Sequence, residues 1–121
     1  MAIESFLSNT CETKDLHPDH ELRTRYYCNT FAEGLQAARE LAQAKKVEIQ
    51  VINEIHKEIH IVGNGFDGII TFFISGPNEM ALDMKINWFG IIGWGKPRKV
   101  VIAFYRFFDT ALQFIGVSLH P

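Results

Sequence analysis

A chain of 121 residues, 47% of them hydrophobic and 21% charged, carries the material for one core, and this composition argues against a disordered chain. A formal net charge of −2 and a pI near 6.2 leave no basic field to neutralise phosphates, which argues against nucleic acid as a partner. No window reaches the ~18–20 apolar residues that span a bilayer, so no transmembrane segment is expected. The opening MAIESFLSNT has neither the basic start nor the apolar run of a signal peptide, and a cytoplasmic protein is the expectation.

Residues 1–20 combine a short apolar start, Ile3, Phe6 and Leu7, with the turn-rich SNTCETKDLHPDH, and read as an N-terminal arm. Cys11 and Cys28 show no CxxC spacing and are expected as free thiols. ELRTRYYC then alternates in part, as a first strand would. From Phe31 to Lys45, Phe31, Leu35, Ala38, Leu41 and Ala42 recur at helical spacing. Thr30 and Glu33 have the spacing of a capping box, and Lys45 and Lys46 suit the negative end of the helix dipole.

In KVEIQVINE, Val47, Ile49 and Val51 alternate with polar residues, predicting a strand with one buried face. A hairpin through residues 54–57 leads to a partner strand over 58–62, and the glycines of GNGFDG supply the next turn. GIITFFIS is apolar on both faces and reads as a central or doubly covered strand. After GPNE turns the chain, Met80, Leu82, Met84, Ile86 and Trp88 are expected inward, with Ala81, Asp83, Lys85 and Asn87 outward. Pro97 suits a first helical turn, and a helix is predicted from there to about residue 114. Its broad apolar side is Val100, Val101, Phe104, Phe107, Phe108 and Leu112.

The order β-α-β-β-β-β-α predicts an α+β fold: a two-layer antiparallel sheet of about five strands with helices packed on one face, formed by residues 21–121 as a single domain. In layout alone this resembles the helix-grip folds, which hold apolar ligands; no family motif accompanies the resemblance.

The most unusual stretch is NWFGIIGWG, residues 87–95. Trp88 continues the inward alternation. Phe89, Ile91, Ile92 and Trp94 cannot all turn inward from a loop containing Gly90, Gly93 and Gly95. Either the loop folds back over the sheet edge, or it forms an exposed apolar contact site. The expected function is therefore binding: a homo-oligomer or a protein partner, joined through residues 88–94 and the aromatic C-terminal helix, with no cofactor. The alternative is a carrier of a hydrophobic small molecule, its pocket between sheet and helix lined by Phe72, Met84, Phe104 and Phe108.

Two weaker patterns remain. Gly95, Lys96 and Arg98 open a helix and could hold an anion, although the lysine is not followed by the hydroxyl of a phosphate-binding loop. His17, Asp19 and His20 in HPDH offer metal-ligand atoms from one turn, and His56 and His60 lie four apart, with no third or fourth ligand in sight. For catalysis, Ser75 and Ser118 sit in no GxSxG elbow, Cys28 could meet a histidine but at a strand end reads as a small buried apolar residue, and Asp67 and Asp83 lack a partner carboxylate at a telling spacing. A binding protein is expected more than an enzyme.

Overall fold

The computed structural model describes residues 8–120, so the apolar positions Ile3, Phe6 and Leu7 of the arm lie outside the described residues. Among the described residues, seven strands form one antiparallel sheet: β1 (Thr10–Glu12), β2 (Arg25–Tyr27), β3 (Glu48–Asn53), β4 (Glu58–Gly63), β5 (Phe66–Gly76), β6 (Glu79–Trp88) and β7 (Phe114–Val117). Two helices, α1 (Phe31–Lys45) and α2 (Lys96–Ala111), complete an α+β domain. The strand order is β3-β4-β5-β6-β2-β7, and β1 joins β6 beyond the end of β2, so that two short strands share one edge of the longest hairpin.

Alternation along β6 sets the layers. Met80, Leu82, Met84 and Ile86 are buried under the helices, and the β5 partners of the last three, Phe72, Ile70 and Gly68, are buried with them. Each fully buried side chain of this size contributes ~1.5–3 kcal/mol relative to exposure. Helix α1 starts at the expected capping box: Thr30 Oγ1 accepts from the Glu33 N–H, and Glu33 Oε1 accepts from the Thr30 N–H at 2.9 Å. Gly34 lies within this helix because the sheet comes so close: a Cβ there would stand 2.7 Å from Met80 Cε and 2.9 Å from Phe72 Cε1. The ~1 kcal/mol that glycine costs a helix interior is offset by that approach. Helix α2 buries Val101, Phe104, Tyr105 and Phe108, and the Tyr105 hydroxyl donates to the Leu82 carbonyl at 2.8 Å.

Several local expectations are corrected. The alternation expected at Val47, Ile49 and Val51 breaks at a bulge between Ile49 and Val51, which turns Val51 outward at 53% exposure and lets Ile52 pair with buried Ile59. The strand expected over ELRTRYYC shortens to β2, its first residues forming a turn of 3-10 helix (His20–Leu22). α2 stops at Ala111, and the apolar tail becomes β7, paired with β2. β5 is central but not doubly covered: no described helix lies on the second face, where Phe73 near the strand's end is exposed.

Part of that second face is covered by irregular chain. Thr13 Oγ1 and Thr24 Oγ1 both donate to Asp83 Oδ1, at 2.6 and 2.7 Å. The Tyr26 hydroxyl donates toward Asp15 Oδ1 and accepts from the His120 N–H, while Ser118 Oγ donates to the Asp15 carbonyl. Burial raises the Asp83 carboxyl above its ordinary range, more than its two hydroxyl donors lower it.

Candidate functional site

Two of the weaker sequence patterns meet in space. The HPDH turn and the start of α2 face one cavity of about 770 Å³, whose walls include Cys11, His17, Asp19, His20, Leu22, Gly95, Pro97 and Arg98. The span from residue 14 to residue 24 is a closed loop: the Lys14 N–H donates to the Leu22 carbonyl at 3.1 Å, and the Thr24 N–H to the Lys14 carbonyl at 3.3 Å. Within it, the Asp19 N–H donates to His17 Nδ1 at 3.0 Å, and Arg23 Nε to the His17 carbonyl at 2.8 Å. An accepting Nδ1 leaves the neutral imidazole with its proton on Nε2. Burial lowers the His17 pKa, favouring that neutral form.

Arg98 ties the loop to α2. Its Nε donates to Asp19 Oδ2 at 2.8 Å, while Glu21 Oε2 lies 4.0 Å from its Nη2. The guanidinium holds the Asp19 carboxyl below its ordinary value, helped by the Glu21 N–H that donates to Oδ1. At the back of the cavity, burial pushes the Cys11 thiol up to about 11, so this sulfur stays protonated and is no nucleophile at neutral pH. The metal reading finds no site here: the Asp19 carboxylate is spent on Arg98, and no three His, Cys, Asp or Glu side chains converge among the described residues. For the anion reading, Arg98 is neutralised and Lys96 Nζ sits 5.0 Å from the Trp88 ring centroid.

The loop before Gly95 is the second feature. Ile91 is 96% exposed, Phe89 62%, Trp94 54% and Ile92 37%. Trp88 is half-buried and stacks on Phe66, ring centroids 6.3 Å apart. The loop does not hang free of the fold. The Trp88 N–H donates to the Asn9 carbonyl at 2.6 Å, the Phe89 N–H to the Gly65 carbonyl at 2.9 Å, and Gly93 packs so closely on Ser8 that any Cβ would collide with its carbonyl oxygen. Trp94 and Gly95 both adopt left-handed backbone, with φ of 54° and 74°.

The remaining candidates are structural. Phe72, Met84, Phe104 and Phe108 are buried in the shared core, Phe72 meeting Phe108 edge-on at 6.4 Å and Phe104 lying 6.1 Å from Phe66. A smaller cavity of about 210 Å³ borders Arg25, Tyr105 and Asp109, but its polar groups satisfy one another: Arg25 grips Asp109 through two hydrogen bonds, of 3.1 and 2.5 Å, and the Tyr27 hydroxyl donates to the same carboxylate at 2.8 Å. Ser75, Glu79 and His120 also gather, with Ser75 Oγ donating to Glu79 Oε2 at 2.8 Å and His120 Nε2 at 3.1 Å from the same oxygen. The carboxylate stands between serine and histidine, so the imidazole cannot take the hydroxyl proton as a catalytic triad requires.

The sequence held no signal for the meeting of residues 17–22 with 95–98, since their contact depends on how the arm folds back. No protein-family model matches the chain, and no curated protein or solved structure matches it either.

Proposed function

We propose that the chain is a cytoplasmic binding domain that self-associates weakly through residues 88–94. The observation that carries this reading is the exposure of Ile91 and Phe89, neighbours on a loop that is anchored at both ends. Contiguous exposed apolar groups are costly in water and mark contact surfaces. Backbone strain points the same way. A bulky residue in the left-handed region, as Trp94 is, costs ~1 kcal/mol or more, and such strain collects at functional sites.

A second copy of the chain is favoured over an anionic membrane because the basic collar is thin. Arg98 is paired with Asp19, Lys96 lies over Trp88, and the chain as a whole is acidic. Four loop side chains cover a few hundred Å² per copy, against ~800 Å² per partner in a standard interface, so the dimer is weak. The carrier reading ranks second, because the side chains expected to line its pocket already pack against one another.

The test is sedimentation velocity across a dilution series. A dimer dissociating at roughly 10–100 µM is expected, and Ile91→Ser with Phe89→Ser should leave a monomer that melts at the parent temperature. A monomer throughout the accessible range would sink the reading.

A further inference from the structure

We propose that the cavity between the 14–24 loop and the start of α2 is a binding site for a small organic cation with an apolar body. This goes beyond self-association and does not rest on it.

The volume is the first argument. About 770 Å³ falls within the ~300–1,000 Å³ of small-molecule sites, which are concave, largely apolar and preformed. The wall is preformed here: the hydrogen bonds closing residues 14–24, the His17–Asp19 turn and the Arg98–Asp19 pair fix it without a ligand, so little ordering opposes binding. Leu22, Pro18, Pro97 and the buried Cys11 supply the apolar surface that an aromatic or aliphatic body would cover.

Charge sets the chemistry of the polar end. Asp19 and Glu21 bring two carboxylates to the wall against the one guanidinium of Arg98, and His17 accepts a hydrogen bond at Nδ1 as a neutral imidazole does, so with neutral histidines the wall holds one more carboxylate than guanidinium. Arg98 is committed to Asp19 through its Nε, whereas Glu21 is beyond hydrogen-bond distance of it. Glu21, exposed at the rim, is thus the acceptor left for an incoming ammonium, while a carboxylate or phosphate would meet Glu21 with Arg98 already neutralised by Asp19.

The experiment is an amide NMR titration of the full chain with three probes sharing one ring: tryptamine, indole and indole-3-propionate. Tryptamine should give saturable shifts at the Cys11, Leu22 and Arg98 amides, with indole weaker and the propionate weaker still by about fivefold or more. Glu21→Gln, at an exposed side chain that the fold does not need, should weaken tryptamine about threefold and leave indole unchanged. The proposal is overturned if no probe saturates below roughly 10 mM, if the propionate binds as well as the amine, if Glu21→Gln changes nothing, or if the shifts centre on residues 89–92.

Discussion

Arg98 Nε lies 2.8 Å from Asp19 Oδ2, a hydrogen bond across 79 positions of chain that joins the first turn of α2 to the arm loop. The pair is partly exposed, so its loss should be modest. Arg98→Ala is expected to lower stability by ~0.2–1 kcal/mol at neutral pH. Because the folded-state pKa of Asp19 is depressed, the stabilisation is present above the ordinary value of 3.8 and disappears as pH falls through the lower folded value. Urea unfolding of parent and variant should therefore converge in acid. A gap that stays constant down to the acid limit would refute the pairing.

Asp83 behaves in the opposite sense. Its folded pKa is raised by burial, so its favourable contribution is complete below 3.8 and is lost as pH rises through the folded value. Asp83→Asn keeps an Oδ1 acceptor for Thr13 and Thr24 without a charge to desolvate. The variant should be as stable as the parent or more so at pH 7. A loss above ~1 kcal/mol in chemical denaturation would show that the charge itself is needed.

The two thiols should separate cleanly. Cys28 is exposed, while Cys11 is buried with its pKa at about 11. Iodoacetamide on the native protein at pH 8 should add one group, at Cys28, and a second only in denaturant. Rapid native modification of Cys11 would mean that the cavity wall opens.

Gly93 has no room for a side chain. A methyl there would press on the Ser8 carbonyl oxygen, a backbone atom that cannot swing aside. Gly93→Ala should cost ~1–3 kcal/mol and loosen the loop. Gly76→Ala, where the nearest atom to an added Cβ is Glu79 Cβ at 3.8 Å, should be tolerated in the same thermal melt.

The composition and periodicity of the chain determined its fold class, because both rest on local physics. The capping box at Thr30 and Glu33, the 15-residue helix it begins, and the inward set Met80, Leu82, Met84 and Ile86 follow from 3.6- and 2-residue spacing alone. The glycine-rich loop was legible only in part: its residues could not all turn inward, but whether it folded back or stood exposed was left to the tertiary structure, which exposes Phe89, Ile91 and Trp94. Tertiary structure decided what spacing cannot encode. The bulge that expels Val51 is a register choice made with β4, and β1 and β7 are strands only because β6 and β2 offer them free edges. Asp83, placed on the wet face by its alternation, is drawn from water by two threonines distant in sequence. The cavity wall, too, assembles residues 17–22 and 95–98 by a long-range ion pair, and one chain's local pattern carries no record of which distant charge will meet it.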